Sequence, residues 1–128
     1  MLSRNLFAAL AVSSVLTTGG HALAVEKKVI AVSIPAADHG WTAGVVYHAQ
    51  AAAKEINAAF PGVEVIVKTS PSAAAQVSAL EDLSAGHKLD ALVILPYSSE
   101  ELTTPVKAVK DAGAFITVVD REIGRAHV

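Results

Sequence analysis

Residues 29–35 read Val29-Ile30-Ala31-Val32-Ser33-Ile34-Pro35. A continuous apolar, β-branched run closed by proline is the pattern of a strand buried on both faces, as in a parallel sheet. Such a strand needs helices over both of its sides. The chain supplies one directly: from about Thr42 to Ala59, the residues Val45, Val46, Ala49, Ala53, Ile56 and then Phe60 recur on one side at helical spacing. Pro61-Gly62 closes that helix.

The same alternation continues downstream. Val63 to Val67 predicts a second short strand, and Ser72 caps a second helix running to about Ala85, with Val77, Leu80 and Leu83 toward the sheet. Gly86 is placed to end it in a left-handed conformation. Ala91 to Leu95 is a third apolar strand stopped by Pro96. Ser98 and Glu101 have capping-box spacing and open a helix that turns Leu102, Val106 and Val109 inward and stops at Gly113. Phe115 to Val119 is the fourth strand. A β-α-β-α-β-α-β order with right-handed crossovers predicts an α/β fold: a three-layer parallel sheet with helices on both faces.

Upstream of the first strand the chain has a different character. Arg4 gives a short positive start, Leu6 to Leu16 are largely apolar, and Ala22-Leu23-Ala24 is a small-x-small cleavage site, so residues 1–24 read as a secretory signal peptide. The apolar run is broken by Ser13, Ser14, Thr17, Thr18, Gly19 and Gly20, and falls short of the ~20 residues of a spanning helix. The expected product is an exported protein starting at Val25, with no membrane insertion after cleavage and a periplasmic location.

Composition narrows the functions further. Twelve acidic residues against ten basic ones give a formal net charge of −2 without a block of either sign, which offers nothing to nucleic acid or an anionic membrane. Cysteine is absent, which excludes disulfides, thiolate metal sites, a cysteine nucleophile and a lipid-modified cysteine.

In an open parallel sheet, ligands bind beyond the carboxyl ends of the strands, where the strand order reverses. Four segments fall there: Pro35 to Trp41, Thr69 to Ser72, Pro96 to Ser98, and Asp120-Arg121. They hold much of the chain's specific chemistry, including its one tryptophan, while the helices are largely alanine, valine and leucine. Asp120 accepts from neighbouring hydroxyls and Arg121 donates through a rigid fork, a combination that grips a polyol. The plain alternative is an aspartate capping a loop beside a solvated arginine. Trp41 offers a flat face to the C–H side of a sugar ring, or fills core. Asp38 is an acceptor for ligand hydroxyls or a helix-capping carboxylate. His39 is a possible donor or a solvated loop residue, and His48 and His87 read as surface residues.

The common catalytic signatures do not occur. Ala36 to Gly44 is neither a dinucleotide-binding fingerprint nor a Walker loop, G-x-S-x-G is absent, and the histidines lack metal-ligand spacing, so no cofactor and no metal are inferred. The remaining enzymatic alternative is a secreted glycoside-processing enzyme using Asp38 and Asp120 as paired carboxylates, although nothing in the sequence tunes either for that task.

From Lys27 to Arg121 the chain resembles the type I periplasmic sugar-binding proteins of ABC importers, of which the ribose-binding protein is the familiar member. The resemblance rests on Val29 to Pro35 opening into Ala37-Asp38-His39-Gly40-Trp41, on Gln76 to Leu83, on Asp90 to Pro96, and on Val118-Val119-Asp120-Arg121. It implies a monosaccharide ligand, an ABC transporter permease as partner, a monomeric full-length parent, and binding without catalysis. Carried over, Asp120 and Arg121 become hydroxyl ligands, Trp41 a stacking residue and Asp38 a polar ligand. The ribose-type first loop has an asparagine and two adjacent aromatics where this chain has Asp38 and then Gly40-Trp41, which argues against ribose itself. A sensor presenting the sugar to a chemoreceptor or sensor kinase is the related alternative.

The family has two lobes, so residues 25–121 are expected to be the N-terminal lobe alone, with an apolar sheet edge left uncovered and weak sugar binding. Glu122 to Val128 does not resemble the family's continuation. It can be read as the codons GAG ATC GGA AGA GCA CAC GTC of a sequencing adapter, which makes it a non-native tail.

Overall fold

The structure is a computed structural model that describes residues 26–123; the expected leader over 1–24 and the last part of the expected tail lie outside them. The elements follow in the order β1 (Lys28–Pro35), α1 (Gly40–Ala59), β2 (Val63–Ser70), α2 (Ala73–Gly86), β3 (Ala91–Ile94), α3 (Ser99–Asp111) and β4 (Phe115–Val118). All three strand pairings are parallel, in the order β2-β1-β3-β4. The chain therefore steps one way from β1 to β2 and the other way from β2 to β3 and β4. Right-handed crossovers then put α1 on one face and α2 with α3 on the other, and α2 and α3 pack together.

The main core lies under α2 and α3. Leu80 and Leu83 from α2, Leu102, Val106 and Val109 from α3, and Ala31, Leu92 and Ile94 from the central strands form one buried cluster. Of the positions expected to face inward from α2 and α3, Leu80, Leu83, Leu102, Val106 and Val109 are in this cluster and Val77 is partly buried against it. On the opposite face Ala53 is buried, and Asn57 of α1 bonds both polar groups of Val65, accepting from its N–H at 2.7 Å and donating to its carbonyl at 3.1 Å. Val65 lies on the outer strand β2, so the Asn57 amide occupies hydrogen-bonding groups that an edge strand otherwise leaves free. The outer strand β4 shows the opposite: Phe115 is 73% exposed, and Val118 and Val119 are also exposed.

Four sequence expectations are corrected. Phe60 is exposed and not on the α1 inner face, because α1 ends at Ala59 and the backbone at Phe60 leaves the helical path (φ −126°, ψ 89°), so helical spacing no longer projects it. Gly86 is the last residue of α2, not a left-handed stop; His87 caps the helix in an extended conformation, its N–H donating to Leu83. Gly113, by contrast, has the positive φ of 104° that a side chain resists. Strand β2 runs on to Ser70 through Lys68 and Thr69, since ladder pairing with β1 is made by backbone and an outer strand tolerates polar side chains. Helix α1 begins at Gly40, two residues before the expected Thr42, for a reason that belongs to the site.

Candidate functional site

The strand order reverses between β1 and β3, so the loops after β1, β3 and β4 converge at the carboxyl end of the sheet. They line a cleft of about 350 Å³ formed by Pro35, Asp38, His39, Trp41, Thr42, Leu95, Tyr97, Asp120 and Arg121. That volume is at the small end of the roughly 300–1,000 Å³ of ligand pockets, the scale of one ring. All four sequence candidates, Asp38, Trp41, Asp120 and Arg121, stand in this one cleft. The Thr69 to Ser72 segment does not line it: β2 lies on the far side of β1, away from the switch point.

The first loop is built by its own residues. The Thr42 hydroxyl accepts from the N–H groups of Asp38 and His39, both at 3.2 Å, and donates to Asp38 Oδ1 at 2.7 Å. Two donors just before the helix are thereby satisfied, which lets α1 start at Gly40 with His39 as its N-cap. The Asp38 carboxylate bonds this hydroxyl in place of capping the backbone. The Thr42 hydroxyl, helped by His39 Nε2 at 3.4 Å, holds the Asp38 carboxyl below its ordinary pKa. Asp38 thus stays an ionised acceptor, and its side chain is still 65% exposed to the cleft. Trp41, one residue into α1, is 54% exposed, so it is a cleft wall and not core filler.

The last loop is strained. Arg121 N–H donates to the Val119 carbonyl at 2.8 Å across Asp120, whose φ is 67°, so a three-residue turn closes over a non-glycine residue in left-handed backbone. Such turns are rare and cost free energy, and they recur at ligand sites where the surrounding structure holds them. Here the holding group is Arg121: its Nη1 donates to the Tyr97 carbonyl and lies 3.4 Å from the Pro96 carbonyl. The Arg121 Nε is 4.0 Å from Asp120 Oδ2, and both side chains remain about half exposed. An acceptor and a multiple donor therefore stand side by side at the cleft.

Sequence reasoning placed Tyr97 at the ligand edge only as part of the Pro96–Ser98 segment, and singled out neither it nor Thr42 and Gln76 as site residues. Tyr97 is 38% exposed and lines the cleft three residues past the end of β3; an aromatic just beyond a strand adjoining the switch point is the signal that marks it. Gln76 is fully buried on the same α2 stripe as Leu80 and Leu83, and a polar residue on an apolar stripe is its signal. The opposite end of the sheet uses its carboxylate structurally. Asp90 accepts from Lys28 Nζ and from Val29 N–H, both at 2.9 Å, and these bonds lower its pKa. Among the described residues, no group of three or more His, Cys, Asp or Glu is placed to hold a metal ion, and no helix is long and apolar enough to cross a membrane.

Residues 30–127 match the family described as periplasmic binding protein domain, and the match continues past Arg121. No curated protein matches the chain significantly. Among solved structures, the chain is similar to an ABC transporter solute-binding protein from Thermobispora bispora, 30% identical with a TM-score of 0.63, over 77% of this chain and 31% of that one. One from Bacillus halodurans with bound myo-inositol is 27% identical with a TM-score of 0.61, over 77% and 33%. A third, from Actinobacillus succinogenes with bound D-allose, is 21% identical with a TM-score of 0.62, over 77% and 33%, a likeness of fold. The chain spans about a third of the length of these structures.

Proposed function

The chain belongs to the periplasmic binding protein domain family, and from that premise we propose that it binds a monosaccharide or cyclic polyol in its carboxyl-end cleft, as the N-terminal lobe of the periplasmic solute-binding component of a sugar ABC importer. The observation that carries this reading is the convergence of Asp38, Trp41, Asp120 and Arg121 on one ring-sized cleft. Two carboxylates accept from hydroxyls, the guanidinium donates to them, and the indole covers an apolar ring face. The bound myo-inositol and D-allose of two similar structures belong to the same chemical class. A permease of the importer is the proposed partner.

Binding without chemistry agrees with the state of Asp38. A glycosidase acid needs a raised pKa to carry a proton, whereas the Thr42 hydroxyl lowers that of Asp38. The cleft side chains stay open to solvent, Asp38 at 65% and Trp41 at 54% exposure, so the ligand keeps part of its hydration and affinity is low, about 1 mM or weaker.

Trp41 is the chain's one tryptophan and stands in the cleft, so its fluorescence reports occupancy. Titration of the full chain with myo-inositol, D-allose and D-ribose is expected to perturb that emission for at least one of them, and Asp120→Asn is expected to weaken the response about tenfold. An emission unmoved by all three sugars, or a response that Asp120→Asn leaves intact, would sink the reading.

A further inference from the structure

The sugar-binding reading names the groups that meet the ligand but not what fixes the last of them in place. The Arg121 guanidinium is held by two carbonyls, Pro96 and Tyr97, that lie 24 to 25 residues away on the turn after β3. That turn has few bonds of its own: Pro96 has no N–H, and Leu95 N–H is taken up by the Ser33 carbonyl at 3.0 Å. Its Leu95 carbonyl and Tyr97 N–H are both met by one side chain. Gln76 accepts from Tyr97 N–H at 2.7 Å and donates through Nε2 to the Leu95 carbonyl at 2.9 Å and the Ser33 hydroxyl at 3.1 Å.

Gln76 is fully buried at a position of α2 where the stripe is otherwise apolar. A buried primary amide is unfavourable unless its hydrogen-bonding groups are met, and here its oxygen and its nitrogen both are. The bonds bracket Pro96 from both sides and tie the bracket to β1. The carbonyls that receive Arg121 are the two that lie within and just after this bracket.

We propose that Gln76 is a positioning residue of the cleft: by clamping the Leu95–Tyr97 turn onto β1 it sets the carbonyls that aim Arg121, without touching the ligand. The proposal rests on the reading of Arg121 as a sugar ligand for its effect on binding, but not for its effect on Arg121 itself. Removal of the amide therefore has two consequences: Arg121 loses its docking carbonyls, and the cleft loses the donor that Arg121 contributes.

The test uses the full chain and Gln76→Met, which keeps the volume and apolar stem and removes the bonds. The Arg121 Nη–H resonances and their hydrogen exchange report the docking, which is made through Nη1, and Trp41 fluorescence reports binding of myo-inositol. Expected for Gln76→Met are faster exchange of Arg121 Nη–H, unchanged amide exchange in the Asp38–Thr42 loop, and myo-inositol binding about tenfold weaker. Added to Arg121→Ala, Gln76→Met is expected to weaken binding no further, since both act through one group. A folded Gln76→Met chain with an unaltered Arg121 signal, or a loss that adds in full to that of Arg121→Ala, overturns the proposal. Where Gln76→Met does not fold, Gln76→Glu keeps the shape and the acceptor for Tyr97 N–H; exchange at Arg121 faster than in the wild-type chain supports the clamp, and an unchanged rate overturns it. A wild-type chain that does not bind myo-inositol, D-allose or D-ribose overturns the sugar reading instead, and the Arg121 exchange still decides the clamp.

Discussion

Two loops supply the polar face of the cleft, and they are held in opposite ways. The Asp38–Thr42 loop is closed by bonds among residues three or four apart, all through the Thr42 hydroxyl. The Asp120–Arg121 loop is strained at Asp120 and is held by carbonyls 24 to 25 residues away, which Gln76 positions from a third element. The first loop is thus set by local sequence, and the second exists only when β1, α2, β3 and β4 are all in place. A site assembled this way keeps one ligand group ready in any state that retains α1 and gains the other only on complete folding.

The comparison is broken most severely from beneath. Leu92 is fully buried on β3 within the main cluster. Leu92→Ala is expected to cost roughly 2–5 kcal/mol by cavity formation, read from urea unfolding. It should release Arg121 fully while the Asp38–Thr42 bonds persist in part; equal loss of exchange protection in both loops would mean that the first is no more autonomous than the second.

A smaller change isolates the first loop. Thr42→Val keeps the shape and removes the hydroxyl, with an expected loss of about 1 kcal/mol and no change at the Arg121 Nη–H groups. The same variant carries a pH signature. The folded-state pKa of Asp38 is lowered, so its contribution is present above the unfolded value and is lost as pH falls through the folded one, below about pH 4. The gap in melting temperature between wild type and Thr42→Val should therefore narrow from pH ~7 to pH ~3. Asp90, lowered by Lys28 and Val29 N–H, contributes an acid loss that both proteins share. A gap that widens in acid would contradict the assignment.

The smallest effect is expected at the strained residue. Asp120→Gly relaxes the left-handed backbone while adding unfolded-state freedom, so stability should change by less than about 1 kcal/mol, measured by the same melts. Arg121 should stay docked on Tyr97. A larger loss would show that the Asp120 carboxylate itself holds the turn.

Much of this molecule is legible residue by residue. Val29 to Pro35 announces a doubly buried strand, Leu80, Leu83, Leu102, Val106 and Val109 fall inside as their spacing requires, and Ser72 and Ser98 accept from Ala75 and Glu101 N–H as N-caps. Phe60 and Gly86 departed from expectation at helix ends, where a period of 3.6 stops applying within a single residue. Strand, helix and cap signals are local: they depend on neighbours within about one turn, and the sequence displays those neighbours.

The amino-acid sequence by itself therefore determined the α/β order, the core stripes and the four side chains that stand in the cleft. Tertiary structure alone decided that the Thr69–Ser72 segment lies outside it, and that a buried Gln76 clamps the turn to which Arg121 is bonded. The physical reason is range. The strand order β2-β1-β3-β4 and the bonds made by Gln76 link residues 19 to 61 positions apart, and no local propensity encodes which distant carbonyl a buried amide or a guanidinium will meet.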